Sequence, residues 1–452
     1  MWSRIARDFE GDPRRSDLAV ALLARLACVS LFVLVAATWP LWSPDKSPRV
    51  PLVGFLAGIS GWLGGWPLAA FGLSAVAATI CGLRLRIGRW SLVTAAVAVS
   101  LLVLADQQRL QPWAYQLIVL SIVLVGLPAR EAIALARLLV ASIYFFSALS
   151  KLDRSFFDSG GGQVVDGLLC SLGLAANIGV RGRMLLAGGF AMGELLIAAG
   201  LCWRRTRRFA WPASIVMHLL LLLALGPWGA DNKPGVLIWN VYFILQNVVL
   251  FGVAGERPVV AAEPLPDDQQ LTRMRWLVRC LATFVIAFPL TEPLGICDVW
   301  PAWAVYATGP ERMRLFIESA DREKLAAATR EYVEPPRFED DLCLVRIDRL
   351  SLDAFNAPLY PQNRFRLGLA LAIAENLDLE DRIVVEVETA ADRLTGARAT
   401  RQIRGRAAIV AELQRYWLNG TPRPNRDKPG PIVPAKWPSF SLSNATATFD
   451  GR

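Results

Sequence analysis

Two residues that seldom sit in hydrocarbon stand inside otherwise apolar stretches of this chain. Glu194 lies ten residues into Met184–Cys202, and His218 lies nine residues into Phe209–Leu225. A charged side chain within a membrane span costs roughly 2.5–3.5 kcal/mol on insertion scales, so each one needs a physical reason to be there. At about 1.5 Å of rise per residue both fall near mid-membrane. The short basic connection Arg204–Arg208 would make their two helices antiparallel neighbours. A Glu–His pair in a low dielectric serves as a proton relay or as a polar clasp between helices. Asn240, Gln246 and Asn247 in the next apolar stretch offer further interhelical partners. A third group, Lys151, closes the aromatic run Tyr144-Phe145-Phe146-Ser147-Ala148-Leu149-Ser150 and precedes Leu152-Asp153. A lysine held partly out of water there can work as a base; the plainer alternative is an anchor that snorkels to headgroups. The segment Asp106–Tyr115, with Asp106, Arg109, Trp113 and Tyr115, is unusually polar and aromatic for a hairpin connection, although Trp113 and Tyr115 also suit an interfacial belt. Arg137 and Arg279 lie close enough to helix ends to snorkel, while the deeper Arg25 is expected to be paired.

The elements that must position these groups follow from composition. Hydrophobic residues make up 54% of the 452 residues and charged residues only 19%, too apolar an average for an ordinary soluble protein. The excess is concentrated before about Leu290. A helix needs about 20 apolar residues to cross the hydrocarbon core, with about 17 as the lower limit. Leu18–Trp39, Pro67–Leu83, Trp90–Ala105, Tyr115–Leu127, Ala132–Ser150, Met184–Cys202, Phe209–Leu225, Gly235–Ala254 and Trp276–Pro289 are the nine candidates. The glycine-rich Pro51–Trp66 reads as interfacial or re-entrant.

Charge orients this bundle. With the N-terminus inside, the inner segments hold 15 basic residues, including Arg84, Arg86, Arg89, Arg130 and the Arg204–Arg208 cluster, against eight in the outer loops. That asymmetry has the sign of the positive-inside rule, and an odd number of spans places the C-terminal region outside. The net charge of +9 is thereby a topological signal and not the footprint of a nucleic-acid surface. Seven cysteines without a CxxC pair and a single histidine exclude the usual zinc arrangements. Cys297 and Cys343 are either a disulfide or two buried thiols. Residues 1–17 form a charged cytoplasmic segment with no signal-peptide cleavage pattern.

From about Thr291 the pattern becomes that of an ordinary globular domain. β-like runs (Trp303–Ala307, Arg312–Ile317, Leu342–Ile347, Arg382–Val387) alternate with helical spacing in Arg322–Arg330, Arg364–Glu375 and Arg406–Trp417. The expected fold class is therefore an all-α polytopic membrane helix bundle of about nine transmembrane helices over residues 18–290, with a C-terminal soluble α+β domain over 291–420. A proline-rich tail, 421–452, is expected to be extended.

The run Tyr144–Asp153, ending in Lys-Leu-Asp, resembles the corresponding stretch of the vitamin K-dependent γ-glutamyl carboxylases and their bacterial relatives, the HTTM-domain membrane proteins. The apolar helix Met184–Cys202, the basic turn and the helix carrying His218 resemble that family's later His-bearing helix. The resemblance covers roughly residues 10–255. It implies a bacterial inner-membrane protein in which Lys151 is the catalytic base at the outer face, deprotonating a reduced quinone so that a strong base can be generated from oxygen. Departures accompany it. Asp106–Tyr115 contains no histidine where the carboxylases have one, and apolar Leu219–Leu223 replaces the polar residues after the family's later histidine. The lumenal region is also much smaller, so carboxylation of protein glutamates does not follow. Small DoxX and MauE-type redox membrane proteins are similar in bundle character. The enzyme expectation thus joins Lys151 to a binding cavity built from Asp106, Arg109, Trp113, Tyr144, Glu194, His218 and Asn240. Its rival is a non-catalytic membrane component whose outer domain assembles protein partners, with the lipid bilayer and a lipid-soluble quinone as the other expected partners.

Overall fold

The computed structural model describes residues 12–43, 48–57, 66–81, 86–159, 161–175, 177–255, 269–336 and 340–423. Among the described residues, nine long helices lie in the apolar part: α1 (Pro13–Ala37), α2 (Trp66–Cys81), α3 (Arg86–Ala105), α4 (Pro112–Gly126), α5 (Ala129–Leu149), α6 (Val180–Cys202), α7 (Arg204–Leu225), α8 (Pro234–Asn247) and α9 (Gln269–Ala287). Each falls on one of the apolar stretches read from the sequence. Six stretches, Arg15–Ala37, Ala129–Leu149, Val180–Cys202, Arg204–Leu225, Pro234–Val253 and Arg273–Leu294, are long and apolar enough to cross a membrane; the apolar parts of α2, α3 and α4 are shorter. The chain is a membrane protein on these grounds. α8 continues as a π-helical turn, Val248–Val253.

The C-terminal region carries a four-stranded antiparallel sheet of order β2-β1-β3-β4, made of β1 (Arg312–Glu318), β2 (Leu342–Val345), β3 (Ile383–Glu388) and β4 (Thr400–Arg404). Among the described residues, three helices of eight or more residues accompany it: α10 (Ile347–Phe355), α11 (Asn363–Leu377) and α12 (Arg406–Leu413). β1 is central, with Leu315 opposite Val345 on one side and Val385 on the other. Leu315, Ile317, Val385, Leu367, Leu371 and Ile409 close its core. Trp303–Ala307 is a pair of turns and not a strand, because Trp303 and Tyr306 both adopt positive φ, 60° and 61°, outside the extended region. Arg322–Arg330 divides into a 3-10 turn and the short helix Ala327–Arg330. β4 and α10 were not expected. β4 buries only Ile403 along its length, so this edge strand carries almost no apolar alternation.

The sheet region is fastened to one end of the bundle through loop after loop. Asn356 donates to Ala37 O after α1, Asn419 to Pro51 O, Gln108 to Ser351 Oγ, the Arg154 amide to Arg393 O, and Lys233 to Asp353 at 2.8 Å. At the opposite end the Asp12 amide donates to Ala254 O. The connections α1–α2, α3–α4, α5–α6 and α7–α8 therefore share the end that holds the sheet.

Polar groups within the bundle correct several expectations. Arg137 does not snorkel: it is fully buried and donates to Leu250 O and Gly255 O, satisfying carbonyls at the end of the π-turn. Arg279 pairs with Glu131 of α5 at 2.6 Å. Arg25, expected to be paired, is exposed on the outer side of α1. Cys297 and Cys343 are both buried and free. The N-terminal segment to residue 11, residues 58–65 of Pro51–Trp66 and the proline-rich tail beyond residue 423 lie outside the described residues, as do the side chains of Arg84, Arg86 and Arg89.

Candidate ligand-binding cavity

Lys151 follows the last turn of α5, and its side chain folds back along that helix. Nζ donates to Ser147 Oγ at 2.6 Å and to Ser147 O at 3.1 Å, the i−4 reach that helical geometry allows. Its third donor meets Glu194 of α6, at 2.9 Å to Oε2 and 3.2 Å to Oε1. Both side chains are nearly sequestered from solvent, at 5% and 7% exposure. The predicted Glu194–His218 hydrogen bond is not formed: Glu194 belongs to Lys151, and both ring nitrogens of His218 have other partners. Adjacency in sequence would pair α6 with α7, but α5 also packs along α6 and supplies its partner.

His218 of α7 sits in a directional network. Asn240 Nδ2 donates to Val236 O, so Asn240 Oδ1 is left to accept from His218 Nδ1–H at 2.8 Å. His218 Nε2 is then an acceptor and receives the Tyr144 hydroxyl proton at 2.7 Å. The Tyr144 oxygen in turn accepts from Asn247 Nδ2 at 2.8 Å. This assignment of tautomer follows from the donor inventory of the amide and hydroxyl groups. The imidazole stacks on Phe243 with ring centroids 4.7 Å apart and planes within 15°, and Trp239 lies 5.3 Å from the same phenyl ring. The Trp239 indole is held by Gln116 Oε1.

These groups border one cavity, within and in front of which lies about 710 Å³ of empty space, open solvent included. Its walls come from α5 (Ile143, Tyr144, Ser147), α6 (Phe190, Glu194), α7 (Met217, His218, Leu221) and α8 (Trp239, Asn240, Phe243). Phe156, Val164 and Val165 from the α5–α6 connection, with Trp303, Val305 and Tyr306 from the C-terminal region, also line it. A mostly apolar lining with a few convergent polar groups is the usual make-up of a small-molecule site.

Of the residues expected in the site, the structure brings together Lys151, Tyr144, Glu194, His218 and Asn240. Asp106, Arg109 and Trp113 are not among the lining residues. Asp106 caps the turn Gln107–Arg109 by accepting from the Gln108 amide. Arg109 is buried and donates to Leu41 O, Trp42 O and Ser43 O, ending the short helix Trp39–Trp42. Trp113 packs against Trp42 at 5.7 Å. All three build the bundle end beneath the sheet. Asp153 of the Lys-Leu-Asp run is a helix cap, accepting from the Phe156 amide at 2.8 Å. Ser147, Phe243, Trp303 and Tyr306 were not foreseen. Ser147 was legible as the i−4 partner of Lys151, whereas the two C-terminal aromatics carry no sequence signal for this site.

The cavity is lined by the aromatic rings of Phe243, Tyr144 and Trp239, and it offers an ammonium–carboxylate pair and a phenol–imidazole pair for proton transfer. No family model matches the chain, and no curated protein or solved structure is significantly similar to it.

Proposed function

We propose that this chain is a polytopic inner-membrane enzyme of the HTTM kind that binds a lipid-soluble, quinone-like ring in the cavity of α5–α8 and moves protons there through Lys151 and Glu194. The observation that carries the reading is the buried Lys151–Glu194 contact at 2.9 Å on the wall of a largely apolar cavity that also holds Tyr144 and His218. A purely anchoring lysine would extend towards headgroups; this one turns inward. Nine crossings with the C-terminal region outside agree with the basic residues and with the four connections gathered at the sheet end.

A bound quinone would supply reversible two-electron, two-proton chemistry. The lining fits such a group because aromatic faces from α5 and α8 adjoin polar atoms that can meet ring oxygens. Lys151 and Glu194 meet in a direct contact at 2.9 Å through which a proton can pass at the cavity wall, and Ser147 holds the amine in place. Tyr144 presents a hydroxyl whose proton already points to His218 Nε2, with Asn240 fixing the ring. Second-sphere bonds of this type hold an acid–base group in a working orientation. The surrounding apolar side chains exclude water and strengthen each electrostatic contact.

The test is complementation of the gene's deletion phenotype by wild type, Lys151→Arg and Lys151→Ala at matched levels in the membrane. Arginine keeps the charge but is effectively never deprotonated, so function should be lost in both variants while the protein still accumulates. Full rescue by Lys151→Arg would remove the base role.

A non-catalytic assembly role is the second reading. It is favoured only by the extent of the C-terminal region, and full rescue by Lys151→Ala would select it.

A further inference from the structure

The segment Asp298–Tyr306 reaches into the bundle with a tryptophan at its tip. The Ala304 amide donates to Val299 O and the Trp303 amide to Trp300 O, the paired 6→1 and 5→2 bonds of a Schellman turn. Trp303 occupies the left-handed position of that turn, at φ 60°, where glycine is the usual residue. An L-residue is strained there, because its Cβ crowds the following carbonyl where a glycine would not. The side chain so placed is entirely buried, stacks near Tyr115 at 5.2 Å and lines the cavity. Its indole Nε1–H has no hydrogen-bond partner. Trp303 differs in this from six other polar side chains that line the cavity. Tyr144, Lys151, Glu194, His218, Trp239 and Asn240 are all bonded within the protein. A buried donor left unpaired is destabilising because it has given up water for nothing, and a tryptophan N–H can only donate.

We propose that the Trp303 indole N–H is the hydrogen-bond donor to a carbonyl or phenolic oxygen of the ligand in this cavity. The C-terminal region thereby supplies a specificity residue to a site otherwise made by the bundle. The inference rests on the reading of the cavity as a site for a quinone-like ring. It gives a role to a bulky aromatic at a position suited to glycine: the turn places an unpartnered indole N–H at the wall of the cavity.

The probes are 2,3-dimethyl-1,4-naphthoquinone and 2,3-dimethylnaphthalene, which share a ring skeleton and differ in the two oxygens. Their affinities for the full-length protein in detergent are compared by equilibrium dialysis, alongside Trp303→Phe and Trp303→His. One hydrogen bond of ordinary strength corresponds to about tenfold in affinity. Wild type should prefer the quinone over the hydrocarbon by about tenfold beyond their difference in detergent partitioning. Trp303→Phe should bind both alike, with hydrocarbon affinity little changed, and Trp303→His, which restores a ring N–H, should recover part of the preference. If Trp303→Phe retains the full preference, the donor assignment is overturned while the quinone reading survives. If wild type itself shows no preference, both fall, and that comparison stands even if a variant does not fold.

Discussion

Separating Lys151 from Glu194 should have unequal consequences on the two sides. In Glu194→Gln the ammonium keeps both Ser147 acceptors, so the expected loss is about 1–3 kcal/mol, that of a weakened buried polar contact. In Lys151→Met the Glu194 carboxylate loses the partner that holds both of its oxygens. The loss should approach the roughly 3–5 kcal/mol found when one member of a buried ion pair is removed. The double variant Lys151→Met/Glu194→Gln removes both charges and should lose no more than about 2 kcal/mol, since neutral replacement of both members of a buried pair leaves no uncompensated charge. The resulting coupling should be at least about 2 kcal/mol. Reversible unfolding of all four proteins in one detergent, followed by helix signal, gives the cycle. Losses that add without coupling would refute the pairing, and equal losses for the two single variants would refute the role given to Ser147.

Three other outcomes follow from the geometry. Tyr144→Phe strips the donor from His218 Nε2 and the acceptor from Asn247; unfolding should show a loss of about 1–3 kcal/mol, and Asn240→Leu should be less than additive with it. Beneath the sheet, Arg364 donates to both Asp298 oxygens and to Gln107 Oε1. The Tyr360 hydroxyl reaches the same Asp298 carboxylate. Burial alone would lower Arg364, but hydrogen bonding to Asp298 holds it above its ordinary value. Asp298→Ala leaves that guanidinium uncompensated, and limited proteolysis should cut the 291–423 region faster than in wild type; an unchanged rate would remove the pair as the fastening. For topology, a reporter active only outside the cytoplasm should be active when fused after Asp450 and silent after Arg208, and the reverse pattern would overturn the span count.

What the sequence revealed and what it hid have physical causes. Helices α1–α9 were legible because apolar runs with few charges leave little alternative in hydrocarbon. Lys151, Glu194, His218 and Asn240 stood out because polar groups there are costly. Their pairing did not, because neighbours in a bundle are set by three-dimensional packing: α5, distant in sequence from His218, supplies the partners of both α6 and α7. Asp106, Arg109 and Trp113 were misplaced for a related reason. Polar residues in a connection can serve a ligand or terminate helices, and only the carbonyls of Leu41, Trp42 and Ser43 show which applies to Arg109. Trp303 was invisible, since a tryptophan at the left-handed position of a turn has no signature in spacing.

The central claim, that the α5–α8 cavity takes up a quinone-like ring beside Lys151, is most directly tested by photo-crosslinking in native membranes with an azido-naphthoquinone. Peptide mapping should place the adducts within Ile143–Lys151 and Val236–Phe243, and excess unlabelled quinone should compete them away. Adducts confined to the lipid-facing surfaces of α1 or α9, or insensitive to competition, would contradict it.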